Sequence, residues 1–196
     1  MSNNLRRLLY EILFFLTSCS GSWVNTSTLT IGGSGVSVAA GTLCGSGTIQ
    51  GSVAITGGVV SAENPVGTPS QLNISGNVSI SSPATLTAYL NGTTAGTYYS
   101  LLNVSGSAAL SNCTLSATVG GGYTATGYPQ LIILNTANGV SGTFNGYAEG
   151  ATVFTNANAY RFKITYAANG GTECVMIPRH QTATVFTGAG VLNAKQ

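Results

Sequence analysis

The stretch LNISGNVSISSPATLTAYLNG, residues 72–92, is repeated as LNVSGSAALSNCTLSATVGGG at residues 102–122. The openings of the two copies match at an offset of 30 residues, and one single-residue gap then brings Thr85-Leu86 onto Thr114-Leu115. A looser copy, LTIGGSGVSVAAGTL, lies upstream at residues 29–43. Repetition at a fixed period is typical of stacked supersecondary units. The repeat therefore decides the architecture, and neither of the two close copies contains a charged side chain.

Charged residues are scarce throughout the chain. They make up 5% of the 196 residues, against about 25% in typical soluble domains. There is no aspartate, and the acids are Glu11, Glu63, Glu149 and Glu173. The six Lys and Arg residues lie only towards the two ends, so no basic stripe exists to neutralise phosphates. This distribution argues against nucleic-acid binding.

The polar residues are mainly Ser, Thr and Asn, and 27 glycines separate short apolar segments. Ser, Thr, Asn and Gly are poor helix residues. β-branched residues that alternate with polar ones between regularly spaced glycines indicate short strands. The low charge and the apolar alternation also argue against disorder. We therefore predict an all-β chain.

Two architectures accommodate such short strands. The first is a right-handed parallel β-helix, or β-solenoid, in which each repeat stacks on the last through main-chain hydrogen bonds. The alternative is an antiparallel β-sandwich. The near-identity of the copies favours the solenoid, because stacking places like residues over like. The expected inward pairs are Leu72 over Leu102, Ile80 over Leu110 and Leu86 over Leu115.

The chain divides into four regions by composition. Residues 1–23 are predicted to be an export signal or an N-terminal capping helix, and residues 24–127 are the solenoid repeats. Aromatic residues are enriched in residues 128–178, which we interpret as a C-terminal cap that covers the end of the solenoid. Residues 179–196 are a tail.

The N-terminal segment has the pattern of an export signal, with Arg6 and Arg7, an apolar run at residues 8–16 and then small residues. The LTSC motif also resembles a bacterial lipoprotein box, in which Cys19 would be lipidated. Glu11 argues against both interpretations, because a charge within such a run costs about 2.5–3.5 kcal/mol on insertion scales. An amphipathic capping helix and a fragment boundary remain the alternatives.

The phrase GSGTIQGSV at residues 45–53 is similar to the G-x-G-x-h-x-G-x-h phrase (h, apolar) of autotransporter-associated β-strand repeats. In that family a turn around a Pro-Gly pair follows, and then a phrase like L-x-I-x-G-N-h-x-h. Here PVG at residues 65–67 and LNISGNVSI at residues 72–80 match these phrases. Later phrases match in the same order, namely YYSLLNV at 98–104, LIIL at 131–134, SGTF at 141–144 and FKITY at 162–166. The resemblance covers roughly residues 25–178.

The resemblance implies the C-terminal part of a surface-exposed autotransporter passenger, a right-handed parallel β-helix that projects from the cell. In the family a translocator follows the passenger, whereas this chain ends at Gln196. We therefore expect a fragment of a longer passenger, a stand-alone secreted repeat protein, or a passenger whose translocator is encoded elsewhere. The expected location is extracellular or on the bacterial cell surface, associated with the outer membrane, with membrane contact only through the N-terminal segment.

Candidate catalytic groups are few. Glycoside hydrolysis requires a close carboxyl pair, and Glu149 with Glu173 is the only remotely plausible one. A Ser–His–acid triad would have to use His180, the only histidine, in the tail. β-Helix enzymes that act on acidic polysaccharides resemble one another in clustering Asp, Lys and Arg in one groove, and this chain has no Asp. We expect no enzymatic activity and no cofactor.

The cysteines do not form a metal-binding pattern. Cys44, Cys113 and Cys174 are far apart in sequence and lack C-x-x-C spacing, and calcium-binding solenoid repeats would need aspartates. No metal is therefore expected. Buried thiols are the simplest interpretation of these three residues. A Cys44–Cys113 or a Cys113–Cys174 disulfide stays open at this point.

The leading hypothesis is a non-catalytic structural or adhesive module. Rows of Ser, Thr and Asn would bind surface glycans, host or neighbouring cell-surface proteins, or copies of the chain itself. Five tyrosines are candidate contact residues, and packing at rung edges or in the cap is the alternative for their rings; they are Tyr98, Tyr99, Tyr123, Tyr128 and Tyr147. The alternative functions are a self-assembling extracellular filament or sheath subunit and a polysaccharide-active β-helix enzyme.

Overall fold

The computed structural model describes residues 17–18, 22–25, 28–30, 35–124, 127–155 and 160–179. These residues are nearly all β, with one short 3-10 turn at Asn169–Gly171. The first strands are β1 (Thr17–Ser18), β2 (Ser22–Asn25), β3 (Thr28–Thr30), β4 (Val36–Val38), β5 (Thr42–Gly45), β6 (Thr48–Gln50), β7 (Val53–Ile55) and β8 (Val59–Ser61). They are followed by β9 (Gln71–Ile74), β10 (Val78–Ser81), β11 (Thr85–Leu90), β12 (Leu101–Val104), β13 (Ala108–Ser111), β14 (Thr114–Val119), β15 (Leu131–Thr136) and β16 (Val140–Thr143). The last strands are β17 (Thr152–Phe154), β18 (Arg161–Ala168) and β19 (Glu173–Pro178).

The strands form three sheets that the chain visits in a fixed order. Sheet A contains β2, β5, β8, β11 and β14, sheet B contains β3, β6, β9, β12 and β15, and sheet C contains β4, β7, β10, β13 and β16. Neighbours within these sets pair in parallel and lie three strands apart along the chain. The fold is thus a parallel β-solenoid, and the antiparallel sandwich is wrong. Right-handed coiling is the sense expected for such crossovers.

The 30-residue repeat is one coil of this solenoid. The strand register confirms the predicted inward pairs, Leu72 with Leu102, Ile80 with Leu110 and Leu86 with Leu115. Each of these six side chains is at most 6% exposed. Burial of such a side chain stabilises the fold by roughly 1.5–3 kcal/mol. The core therefore consists of aliphatic rows that run along the solenoid axis.

The outer face of sheet B carries a row of amides. Asn103 Nδ2 donates to Asn73 Oδ1 at 3.0 Å, and Asn135 Nδ2 donates to Asn103 Oδ1 at 2.8 Å. Gln71 Nε2 also donates to Asn73 Oδ1, at 2.8 Å. Because each amide is both donor and acceptor, identical residues at one register position satisfy each other from coil to coil.

An aromatic cap covers the C-terminal end of the core, as predicted. β19 pairs antiparallel with β15, β18 with β19, and β17 with β18, so sheet B continues past the last coil in antiparallel form. Phe144 and Phe162 are fully buried beneath these strands, and Tyr166 is 7% exposed. Alternation in β18 places Phe162, Ile164 and Tyr166 inward, and Arg161 and Lys163 outward.

The predicted boundaries of the solenoid need correction at both ends. β15 and β16 still belong to the parallel sheets, so the last coil extends past residue 127 to Thr143. In the apolar run of β15 the side chains of Leu131, Ile133 and Leu134 are buried, and the backbone of the strand is paired on both edges. At the other end β2 joins sheet A from Ser22, and β1 pairs with it antiparallel. Cys19, most of residues 1–23 and the tail from residue 180 onward lie outside the described residues.

Within the described ranges, no helix is long and apolar enough to cross a membrane.

Candidate functional site

The coils differ in length, and the difference is concentrated at one corner. Thr42, Val59, Thr85 and Thr114 are in register on sheet A, so successive coils advance by 17, 26 and 29 residues. The turn from sheet A to sheet B grows from residues 46–47 to the loops 62–70, 91–100 and 120–130. Insertions that recur on one side of a repeat protein commonly form its binding face. The corner between sheets A and B is therefore the first candidate site.

Among its described residues, each of the three long loops presents one exposed large apolar side chain. Val66 is 62% exposed, Tyr98 is 52% exposed and Tyr128 is 61% exposed. Phe154 is the remaining large apolar side chain exposed among the described residues, and it lies in the cap with the Arg161 guanidinium 5.3 Å from its ring centre. We call Val66, Tyr98 and Tyr128 the corner ridge. Two of its three members are tyrosines that the sequence analysis singled out.

Hydrogen bonds hold the first two loops in place. In the first loop the Asn64 N–H donates to the Thr68 carbonyl at 2.9 Å, and Asn64 Nδ2 donates to Ser46 Oγ at 3.2 Å. In the second loop the Asn91 N–H donates to the Tyr98 carbonyl at 2.7 Å. Both loops are thus fixed internally, and the first is also bonded to the preceding coil.

Asn91 also joins the second loop to the third, since its Oδ1 accepts from the Gly122 N–H at 3.1 Å. Glycine is required at position 92, because a Cβ there would lie 2.8 Å from the Cβ of Tyr98. The exposed Tyr98 side chain is thus packed directly against its own loop. The second loop therefore holds Tyr98 in place, and a hydrogen bond connects this loop to the third loop.

Two of the predicted contact tyrosines belong to the core instead. Tyr99 is 4% exposed, and its hydroxyl accepts from the Ile132 N–H at 3.3 Å. Tyr123 is 3% exposed and makes an edge-on ring contact with Tyr160 at a centroid distance of 5.0 Å. Burial raises the pKa of Tyr99, and it raises the pKa of Tyr123 to about 12. The prediction of surface contact for these two residues is therefore wrong, because their rings fill the core and the cap.

Tyr147 occupies a third kind of position. It is half-buried against the core in the cap, where the Tyr166 hydroxyl donates to its carbonyl at 2.7 Å. The Tyr166 hydroxyl also accepts from the Phe144 N–H at 3.1 Å. Tyr147 thus helps to close the cap and lies outside the corner ridge.

A cleft adjoins the ridge on the outer face of sheet A. The first long loop folds back over the sheet and leaves a space of about 290 Å³. We call it the sheet A cleft, and its lining residues are Thr42, Val59, Ser61, Glu63, Val66, Gly67, Thr87, Ala88, Tyr89 and Thr118. Val66 belongs both to this lining and to the corner ridge. No pattern in the sequence predicted the cleft.

Glu63 is the one ionisable acid in the lining, and it is only 5% exposed. Its Oε2 accepts from the Gly67 N–H at 2.5 Å, and its Oε1 accepts from the Thr87 hydroxyl at 3.0 Å. Beside it Ser61 is 2% exposed, and its Oγ has no hydrogen-bond partner in the part of the chain that the structure describes. A buried hydroxyl without a partner costs about 1–3 kcal/mol. The cleft thus contains an unsatisfied hydroxyl, that of Ser61, next to the Glu63 carboxylate.

The two candidate catalytic acids, Glu149 and Glu173, accept hydrogen bonds from residues of the cap. Glu149 Oε2 accepts from the Tyr166 N–H at 2.7 Å, and Glu173 Oε1 accepts from Asn169 Nδ2 at 3.1 Å. Desolvation acts to raise the pKa of Glu149, but hydrogen bonds from Thr165 and from the Tyr166 backbone, with the charge of Lys163, lower it overall. The Glu149 carboxylate is thus bonded to β18, and the Glu173 carboxylate is bonded to the 3-10 turn. His180 lies outside the described residues.

Cys44, Cys113 and Cys174 are buried, and no disulfide joins them. Burial raises the pKa of the Cys113 thiol to about 11 and also raises that of Cys174. Buried thiols of this kind are inert packing groups. Within the described part of the chain, no three His, Cys, Asp or Glu side chains are grouped so that they could hold a metal ion.

These features define the class of protein as a capped parallel β-solenoid with a loop-built ridge and a neighbouring cleft. Comparisons of the chain with protein-family models, with curated proteins and with solved structures find no match.

Proposed function

We propose that this chain is a non-catalytic, passenger-like β-solenoid module that adheres to a surface through its corner ridge. One observation carries the proposal: successive coils put their longest loops, and one exposed apolar side chain each, at the same corner. Apolar side chains that are exposed together on one face of a protein mark contact surfaces, whereas single scattered ones are ordinary. The resemblance to autotransporter-associated repeats supports an extracellular or cell-surface location.

The chemistry of the ridge favours an uncharged partner. No Asp, Glu, Lys or Arg occurs between residues 64 and 148, so the second and third loops contain no charge. Tyrosines combine a large apolar ring with a polar hydroxyl, which suits surfaces that are part apolar and part wet. We therefore propose a neutral surface glycan as the partner, with host or neighbouring cell-surface proteins as the alternative.

The test is a triple variant of the ridge, Val66→Ser with Tyr98→Ser and Tyr128→Ser. The matched control is Phe154→Ser, which removes an exposed aromatic ring from the cap. The measurement is binding of the purified chain to an array of neutral glycans and its cosedimentation with whole bacteria. We expect the wild-type chain and the control to bind, and the triple variant to bind at least about tenfold more weakly, since three side chains that bury apolar area on contact are lost.

Two results would contradict the proposal. One is a wild-type chain that binds neither glycans nor cells, and the other is a triple variant that binds as well as the control. The circular dichroism spectrum and the thermal midpoint of each variant, compared with wild type, show whether a loss reflects the ridge or the fold.

The filament alternative is less well supported. End-to-end stacking requires open strand edges at both ends of a solenoid. At the C-terminal end the antiparallel strands β17 to β19 extend sheet B past the last coil, and the buried rings of Phe144 and Phe162 close the core there. Size-exclusion chromatography distinguishes the two ideas, because a stable monomer is expected for the adhesive module and large assemblies for the filament.

A further inference from the structure

The sheet A cleft holds an acid, Glu63, that has no basic side chain beside it among the described lining residues. Glu63 is almost fully buried, and its partners are the Gly67 N–H and the Thr87 hydroxyl. None of the residues that line the cleft is Lys, Arg or His. A buried carboxylate is normally paired with a cation or with several donors, because removing a charge from water is costly. Both of its oxygens act as acceptors here, one for each of these two donors.

A second observation is an unsatisfied hydroxyl at the same place. Ser61 lies two residues before Glu63, lines the cleft and is buried, and its Oγ has no hydrogen-bond partner among the described residues. Thr87 and Thr42 add further hydroxyl oxygens to the lining. Thr87 already donates its proton to Glu63, so its oxygen is left as an acceptor. The cleft therefore offers a carboxylate and several hydroxyl acceptors, but no cation of its own.

The remaining lining suits the alkyl part of a small organic cation. Val59 and Val66 supply apolar surface at the mouth of the cleft, and Tyr89 adds an aromatic side chain. Aromatic rings attract cations through their negative faces. The volume of about 290 Å³ is at the lower limit for small-molecule sites. This limits the occupant to a group such as an alkylammonium ion or the end of one lysine side chain.

We propose that the sheet A cleft binds a primary ammonium group, with Glu63 as its counter-ion and with Ser61 Oγ, which turns towards the cleft on binding, as a second acceptor. An ammonium has three donors and no acceptor, which matches a cleft that is rich in acceptors. Hydrogen bonds between charged groups are roughly twice as strong as neutral ones. This binding goes beyond adhesion through the corner ridge, and it does not require the ridge to be functional.

The test uses the full chain and amide NMR. The Gly67 N–H is the reporter, because it donates directly to the Glu63 carboxylate. The chain is titrated with n-butylammonium chloride and with Nα-acetyl-lysine methylamide, and the neutral controls are 1-butanol and the Nε-acetylated lysine derivative. We expect saturable shifts of the Gly67 amide with the cations only. Binding of both cations indicates a lysine side chain as a suitable occupant, and binding of butylammonium alone indicates a free amine.

Two variants and one control test the roles of the residues. Glu63→Gln keeps the shape but removes the charge, and we expect binding at least about tenfold weaker. Ser61→Ala removes a hydroxyl that has no partner within the protein, so the fold should be retained while binding weakens about fivefold. Glu173→Gln is the control, because it removes a carboxylate charge from the cap. Its affinity should remain within twofold of wild type.

Several results would overturn the proposal. These are the absence of any saturable Gly67 shift, equal shifts with butanol and butylammonium, and unchanged affinity in both Glu63→Gln and Ser61→Ala. Calcium or sodium binding at Gly67 without amine binding would also overturn it, since the occupant would then be an inorganic ion. None of these outcomes depends on the glycan assays, so failure of the ridge and failure of the cleft are distinguishable.

Discussion

Cys113 shows how tightly single residues are enclosed in this solenoid. Hydrogen bonds from the Thr114 N–H to the Ala84 carbonyl, and from the Asn145 N–H to the Cys113 carbonyl, fix the thiol between neighbouring coils. Cys113 and Ala84 are fully buried. Desolvation disfavours the thiolate, which is why the pKa of Cys113 is raised to about 11. The same cause raises the pKa values of Cys174 and Tyr123.

These raised pKa values predict a loss of stability at high pH. The folded chain keeps protons on Cys113 and Tyr123 that the unfolded chain releases near its ordinary values of about 8.5 for Cys and about 10 for Tyr. The stabilisation is therefore complete below about pH 8.5 and is lost as pH rises towards the folded values of about 11 and 12. With these values we expect the free energy of unfolding to fall by about 2 kcal/mol by pH 10 through Cys113.

Urea unfolding at pH 8, 9.5 and 11 under reducing conditions provides the measurement. The control is Cys113→Ala, in which the decrease between pH 8 and 9.5 should become smaller. A urea midpoint that stays constant or rises over this range would show that the buried thiols and phenols ionise as readily in the folded chain as in the unfolded one.

At this scale the core residues were predictable and the site residues only partly so. Alternation identified the inward leucines, because burial follows the period of a strand. Tyr98 and Tyr99 are adjacent in a loop, where no period applies, and one is exposed while the other is buried. Glu63 and Ser61 escaped prediction because their enclosure depends on how loop 62–70 folds back. A lone acid two residues beyond a strand, before a Pro-Gly turn, was the available signal.

The strands themselves leave little room between neighbouring coils. In β16 Gly142 has a φ of +75°, and a Cβ at this position would lie 2.0 Å from the Leu110 carbonyl oxygen on β13. Gly146, in the following turn, has the same φ of +75° but no atom within 4 Å of an added Cβ. Substitutions at the two glycines therefore distinguish the cost of a positive φ, which both share, from the cost of close approach between coils, which only Gly142 has.

We expect Gly142→Ala to destabilise the chain more than Gly146→Ala does. Positive φ costs both variants about 1–2 kcal/mol, and Gly142→Ala must also push β16 away from β13. The additional loss should be at least about 1 kcal/mol, as is usual for overpacking. The measurement is the free energy of urea unfolding of the two variants and of wild type. Equal losses in the two variants would contradict the described spacing of β13 and β16.

The positions of the strands were predicted better than the conformations of the turns that join them. The one-residue gap in the repeat falls where three residues, 82–84, join β10 to β11, but two residues, 112–113, join β13 to β14. Asn112 adopts a φ of +55° to make this shorter turn. The register of the upstream copy was less predictable. Leu29 pairs with Ile49, and Ile49 pairs with Ile74. The upstream copy had instead aligned Leu29 with Leu72, two residues earlier.

At the scale of the whole molecule, repetition was sufficient to distinguish a solenoid from a sandwich. Stacking in register requires like residues at like positions, and an antiparallel sandwich has no such requirement. The end of the last coil was not predictable in the same way, because β15 pairs on one edge with a parallel strand and on the other with the cap. The corner ridge also depends on this scale, since its members come from loops that are separate in sequence and stack only in the fold.

The most direct test of this stacking is a pair of engineered disulfides on sheet B, in a chain that also carries Cys19→Ser. Asn73 and Asn103 are register neighbours, and Asn135 is one strand further. Strands lie about 4.8 Å apart, and a disulfide needs a Cα–Cα distance of about 4.4–6.8 Å. After mild oxidation, non-reducing peptide mapping should therefore find a bond in Asn73→Cys with Asn103→Cys but not in Asn73→Cys with Asn135→Cys. Bond formation in the second pair, or none in the first, would contradict the parallel solenoid.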